Sequence, residues 1–267
     1  VEGMGADIVD INMGCPVQKI AKHNAGCSLM RDPSHAAKVV RAMSGAVTIP
    51  VTVKMRSGWD DETINAPTLA RMMEDSGAAA VAVHGRTAKQ SYSGLSDWGL
   101  IDRVATSVSI PVFGSGDCVT PEQVIARTRR TGVSGVLVGR GALRNPWIFE
   151  QAKAMAAGEV VPAITLSEHG RFLLDYISLL LGEGINEAHG FRHQVPSAEP
   201  QARPNTRSAR GRERWVVNKV RALASWYTKG EHEGSRLRTS INHADSVGEL
   251  CDVIRRHFLE PAARGLA

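Results

Sequence analysis

Val9-Asp10-Ile11-Asn12-Met13-Gly14-Cys15-Pro16 is the stretch on which the reading of this chain turns. Asp7–Asn12 is a short apolar, β-branched run of the kind that forms a strand. Gly14 permits a tight turn after it, and Pro16 fixes the backbone beyond the cysteine. The thiol of Cys15 is therefore expected at the C-terminal end of a strand, where α/β folds place their reactive groups. Working outward, four further strands are predicted at Val51–Lys54, Ala80–His84, Pro111–Gly114 and Gly135–Gly139. Their nearly continuous apolar character is that of strands buried on both faces of a parallel sheet. Helical patterns lie between them at His35–Ser44, Ala66–Asp75, Gly99–Ser107 and Glu122–Arg130, two with clear start signals, Pro33-Ser34 and Thr120-Pro121-Glu122. Five consecutive βα units fit either an open doubly wound sheet or part of a (β/α)₈ barrel. Periodicity does not choose between them.

After Asn145-Pro146-Trp147 the pattern changes to helices alone: 148–157, Leu166–Leu181, Glu213–Tyr227 and Ser246–Phe258. The expected division is an α/β portion over 1–157 and a small all-α domain over 158–267. A basic, Pro/Gly/Ser-containing insertion is expected at about 192–212. Charge is concentrated around that insertion. From Arg192 to Arg221 there are eight Lys/Arg and two acids, a net +6, which leaves the rest at −1 against a total of +5. A segment of that kind invites a polyanion. Neutral readings exist for each feature alone, since charge runs are often solvated faces and free cysteines are often buried.

Polar residues recur where the other strands end. Lys54 closes its strand, His84 opens His84-Gly85-Arg86-Thr87, Gly114-Ser115-Gly116-Asp117 follows the fourth strand, and Gly139-Arg140-Gly141 follows the fifth. A lysine ending an apolar strand calls for an anionic or electron-rich partner. The two Gly-rich loops each precede a helix and offer free backbone N–H groups to a phosphate.

The motif through Cys15 and on to Gly26-Cys27, with Val51–Lys54, Val83–Thr87, Gly114–Asp117, Val138–Arg140 and Asn145–Trp147, resembles the tRNA-dihydrouridine synthases of the bacterial B-type branch. The resemblance is strong over roughly 1–150 and weak in the C-terminal helices. It implies an FMN-containing (β/α)₈ TIM barrel, here with five βα units and without the family's first strands, followed by a helical tRNA-binding domain. The implied reaction is reduction of selected tRNA uridines to 5,6-dihydrouridine, with NADPH (or NADH) as reductant. By the same resemblance Cys15 is the proton donor, and Asn12 and Arg86 contact the target uridine. Lys54, His84, Ser115, Gly116, Asp117, Gly139 and Arg140 hold FMN, and Arg214, Lys219 and Arg221 face tRNA. Ser115 stands where the family has asparagine.

Composition bounds the alternatives. With 43% hydrophobic and 22% charged residues over 267 positions the chain is neither disordered nor fibrous. No stretch is apolar and long enough to span a membrane, and the first residues carry no signal-peptide pattern. Four scattered cysteines without a C-x-x-C pair give neither a metal site nor a disulfide framework, so a cytoplasmic location is expected. Two competing readings remain: an FMN barrel oxidoreductase acting on a small molecule, and a truncated, inactive fragment that binds RNA without flavin.

Overall fold

The computed structural model describes residues 1–17, 24–182, 209–230 and 233–260. The first unit is built on five strands, β1 (Val9–Met13), β2 (Val51–Arg56), β3 (Ala80–His84), β4 (Val112–Ser115) and β5 (Gly135–Leu137). They lie in the order β1-β2-β3-β4-β5, every neighbouring pair parallel. A doubly wound sheet reverses its strand order at a switch point. This sheet has no reversal, and its sequential order is that of successive strands in a (β/α)₈ barrel. The choice left open by periodicity is settled for the TIM-barrel type.

Helices α1 (Pro33–Ser44), α2 (Ala66–Asp75), α3 (Trp98–Ala105) and α4 (Pro121–Arg130) return the chain between strands. Their starts follow from local chemistry. Asp32 accepts from His35 N ahead of α1, and Asp97 from Leu100 N ahead of α3. Thr120 and Gln123 form a reciprocal capping box on α4, with Pro121 in its first turn. Carboxylates also pin two of the turns that feed strands. Glu74 Oε1 accepts from the backbone of Ser109 and Ile110 before β4, and Glu2 Oε1 from that of Thr48 and Ile49 before β2.

Among the described residues the helices cover one face of the strands. Ile11, Met13, Val51, Val53, Met55, Val81, Val83 and Val112 pack with Leu69, Met73, Trp98, Ile101 and Val104 of the helices. Between them in sequence, Asp10, Asn12, Thr52, Lys54, Phe113 and Ser115 fall on the other face and are half-buried or exposed. Apolar composition concealed that alternation because small Ala80 and Ala82 occupy the second face of β3. Strand ends also shift: β2 runs on to Arg56, and β5 stops at Leu137, short of the Gly139 expected.

A short α5 (Arg140–Arg144) and α6 (Ile148–Ala157) follow. The chain divides into two compact units, Val1–Ala142 with Pro146–Val160, and Leu143–Asn145 with Val161–Ala267. In the second unit α7 (Leu166–Leu181), α8 (Ala209–Tyr227), α9 (Gly234–His243) and α10 (Val247–Ile254) enclose a core of Leu173, Ile177, Val216, Val220, Leu237, Ile241, Leu250, Ile254 and Phe258. A π-helical turn, Arg255–Leu259, ends what the sequence reads as one helix from Ser246 to Phe258. Gly170 lets α7 approach that turn, since a Cβ there would overlap Phe258. Helix α9 escapes the sequence reading because only Leu237 and Ile241 mark its buried face. Of the basic insertion expected at about 192–212, positions 192–208 lie outside the described residues.

Candidate active site

Parallel register brings the strand ends together. Asn12 pairs with Lys54, Arg56 with His84, His84 with Ser115, and Ser115 with Leu137. Beside this row lies a cleft of about 300 Å³ lined by Lys54, His84, Tyr92, Ser115–Val119 and Leu137–Gly141. All seven of the residues assigned to the cofactor by resemblance line it. Cys15 and Asn12 do not; Asn12 stands on β1, one strand beyond Lys54, and Cys15 in the turn that follows β1. Arg86 is likewise absent from the lining.

The cleft is electropositive, and burial tunes its groups. Lys54 is held below the ordinary lysine range by desolvation first and by the nearby Arg56 charge second, with Asp10 opposing. His84 is 9% exposed, and desolvation, aided by the charges of Arg56, Lys54 and Arg86, pulls its pKa down to about 4. The ring is therefore neutral near pH 7. Arg86 Nη1 lies 3.3 Å from His84 Nε2. A guanidinium only donates, so Nε2 accepts and the ring proton sits on Nδ1.

Arg86 proves to be a structural clamp. Only 2% exposed, it donates from Nη2 to both oxygens of Asp117, at 2.7 and 2.8 Å, besides contacting His84 and two loop carbonyls. Asp117 and the carbonyls of Ser93 and Gly94 thus take up the Nε and Nη2 donors of the arginine expected to contact the uridine. Asp117 also accepts from Ser96 N at 2.7 Å and faces Arg140 Nη2 at 3.5 Å. Burial works to raise its pKa, but the Arg86 and Ser96 hydrogen bonds and the two arginine charges hold it below the usual carboxylate range. The carboxylate thus positions Arg140, whose side chain remains 37% exposed at the cleft. Arg140 also lies 4.7 Å from the centroid of Tyr92.

Two glycines shape the floor. Gly116 has φ 134°, and a Cβ there would run into Ser96. Around Gly139, by contrast, a Cβ would meet nothing within 4 Å, so its backbone is open to a ligand.

On β1 the Asn12 side chain folds the turn that carries the thiol. Its Oδ1 accepts from Gly14 N and Cys15 N, both at 3.0 Å. Cys15 is half-buried and reduced, and its carbonyl accepts from Cys27 N at 3.0 Å. Cys27 is fully buried, and desolvation pushes its thiol up. Sequence reasoning missed the residue that ties this turn to the rest of the site. Arg56, buried beneath the strand ends, donates from Nε to Gly14 O at 2.8 Å and from Nη1 to Thr87 O and Ser91 O at 2.9 and 3.0 Å. Its signal was present: an arginine closing an apolar strand must find acceptors. Tyr92 was missed as well, in a Ser/Gly loop without a periodic pattern.

In the helical unit the three residues expected to face RNA differ. Arg214 is exposed, and Lys219 is exposed with its ammonium 5.2 Å from the Trp215 ring. Arg221 donates to Ala244 O at 2.8 Å and pairs with Asp245 at 3.3 Å, tying α8 to the end of α9. Its side chain keeps 31% exposure beside these contacts.

Residues 1–263 match the family model described as dihydrouridine synthase (Dus). The chain belongs to the dihydrouridine synthase family. The tRNA-dihydrouridine synthase B of Xanthomonas axonopodis pv. citri is 36% identical over 255 residues, 95% of this chain and 69% of that protein. That of Pseudomonas putida is 34% identical over 257 residues, 96% of this chain and 68% of its own length. A probable tRNA-dihydrouridine synthase of Rickettsia conorii is 42% identical over 198 residues, 70% of this chain and 59% of that protein. The B-type branch of the resemblance is thereby supported, and the chain spans about 59 to 69% of the length of these relatives. No described helix is long and apolar enough to cross a membrane, and the described residues hold no cluster of metal-ligating side chains.

Proposed function

We propose that this chain carries the reactive portion of a flavin-dependent reductase of tRNA uridines, yielding 5,6-dihydrouridine. The single observation that carries the reading is the alignment, at one edge of a parallel sheet, of an electropositive cleft beside a turn that presents a thiol. Lys54, neutral His84, the open backbone at Gly139 and the half-exposed Arg140 fit a ligand that is planar and polar at one end and anionic at the other. FMN has that chemistry, and a volume near 300 Å³ falls within the range of ligand sites.

Arg140 and the backbone of 116–117 and 139–140 would hold the phosphate, with Asp117 keeping the guanidinium in place. Lys54 would hold positive charge against the ring, and Nδ1–H of His84 would donate to a ring acceptor. When bound, FMN supplies hydride to C6 of the uracil, drawing on NADPH (or NADH). Reduction at C6 leaves carbanion character at C5, which must be protonated. Cys15 is the acid available in the turn after the neighbouring strand: its S–H proton passes to C5, leaving a thiolate that regains a proton from solvent. Asn12 orients that thiol through the turn it caps.

The partner is tRNA, met in the helical unit by exposed Arg214 and Lys219 and by the net +6 of 192–221. The fold divides, on this reading, into a barrel portion over 1–157 and a helical tRNA-binding portion over 158–267, in the cytoplasm where tRNA is processed. The test is direct. The protein, given NADPH and unmodified tRNA, should leave dihydrouridine detectable by nucleoside mass spectrometry. Flavin that is reduced by NADPH but leaves tRNA unchanged would favour a small-molecule oxidoreductase instead.

A further inference from the structure

Two cysteines that stand twelve positions apart in sequence meet at the turn after β1. Cys15 is half-buried there and Cys27 fully buried, and both are reduced. Cys27 N donates to Cys15 O at 3.0 Å. Such a bond between two backbones holds their Cα atoms about 5 to 6 Å apart, a separation that a disulfide spans. Gly26, at φ 59° in the left-handed region, opens the 3-10 turn Gly26–Arg31 and sets that approach. Cys27 is not among the side chains of the first unit's apolar core, although its neighbours Leu29 and Met30 are. What it has instead is a cation. Arg56, whose Nε donates to Gly14 O at 2.8 Å, lies close enough for its charge to act on both thiols. Burial raises the Cys27 thiol, the Arg56 charge works against that rise, and the charge of Cys15 adds to it.

A half-exposed thiol above a buried one, with a guanidinium beside both, suits oxidation of the first sulfur and its resolution by the second. We infer that Cys15 and Cys27 form a reversible disulfide under peroxide, a modification that takes the Cys15 thiol out of use. Hydrogen peroxide is the oxidant, small enough to reach a half-buried sulfur. The Cys15 thiolate attacks one peroxide oxygen; the O–O bond breaks, and hydroxide leaves and takes up the proton that Cys15 had released. The product is a sulfenic acid. The Cys27 sulfur then attacks the sulfenic sulfur, the S–S bond forms as the S–O bond breaks, and the Cys27 proton departs with the hydroxyl as water. Two thiols and one peroxide become one disulfide and two waters, with two electrons passing from sulfur to oxygen. A dithiol reverses the change by exchange. The bond itself follows from the cysteine pair alone. The loss of turnover it causes rests on the function proposed above, because that function needs the Cys15 proton.

The experiment exposes the protein to hydrogen peroxide, blocks the remaining thiols by alkylation and maps the tryptic peptides by mass. Trypsin cuts between the two cysteines at Lys19 and Lys22, so a disulfide joins two peptides that otherwise separate. Wild type should give that linked pair, and dithiothreitol should release it. Reduction of tRNA should fall about tenfold or more with peroxide and return to within about twofold of its starting value with dithiothreitol. Cys27→Ser should start near wild-type activity and give no linked pair. On prolonged exposure its Cys15 should run on to the sulfinic acid, which dithiothreitol does not reverse. The peptide map is read on wild type, so a variant that folds poorly leaves the test intact. Cys15 oxidised by itself in wild type, or linked to Cys118 or Cys251, would overturn the inference. So would recovery of Cys27→Ser as complete as that of wild type. A protein that forms the link but never reduces tRNA would uphold the disulfide and count against the function proposed above.

Discussion

At the scale of single residues, the site is a set of groups whose chemistry is set by what surrounds them. His84 is the clearest case. Its pKa falls from 6.5 to about 4 on folding, chiefly through desolvation, so the unfolded chain binds more protons between those values. Stability contributed by the neutral ring is present above about pH 6.5 and is lost as pH falls toward 4, on the order of 3 kcal/mol. Denaturant unfolding at a series of pH values should show that slope in wild type and a shallower one in His84→Gln. Equal slopes would assign the acid sensitivity to other groups. Gly116 makes a second point. With φ 134° and the Ser96 side chain where a Cβ would stand, Gly116→Ala is expected to destabilise by about 2 kcal/mol or more, read by thermal denaturation. Much of this was legible in the sequence: Lys54, His84, Ser115, Gly116, Asp117, Gly139 and Arg140 were each marked by ending a strand or opening a Gly-rich loop. What the sequence could not separate was Arg86 from Arg140. Both follow strand ends, yet one is a buried clamp and the other half-exposed, a difference made by packing against Asp117 and the loop carbonyls.

At the scale of elements, Arg56 links three pieces of chain that sequence leaves independent: the turn after β1, the end of β2 and the loop after β3. Hydrogen bonds from a charged donor to buried carbonyls are stronger than average, and leaving such carbonyls unpaired is costly. Arg56→Gln should therefore lose on the order of 3 kcal/mol, with the loss concentrated at the site. Hydrogen exchange is the suitable check: peptides covering 9–17 and 85–94 should exchange faster in the variant, while those from α1 and α2 should not. Uniform acceleration across the first unit would show a general loss of stability instead. Strands and the long helices were largely readable, because β-branched runs and capping signals are local. Helix α9 was not, since a face of two apolar residues becomes a helix only when a core closes over it.

For the whole molecule, basic charge gathers in one segment while reactive groups gather at one sheet edge. If tRNA is gripped electrostatically, its affinity should fall steeply with salt, with a log–log slope of several units. Replacing Arg203, Arg207 and Arg210 with glutamine should flatten that slope by about two to three units. Arg212 is left out of that set, because it donates to Leu180 O and Gly182 O at the end of α7, and its loss would mix folding with binding. Identical slopes in wild type and variant would move the RNA contact to Arg214 and Lys219. On the function proposed above, hydride and proton are delivered from two stations on one sheet, the cleft beside β3 to β5 and the thiol beyond β1. Transient kinetics on the Cys15→Ala protein tests it most directly. Normal flavin content and normal reduction by NADPH are expected, followed by reoxidation with tRNA slowed about 10²- to 10⁴-fold. Reoxidation by tRNA within a factor of about two of wild type would contradict it, because a general acid in that position cannot be so dispensable.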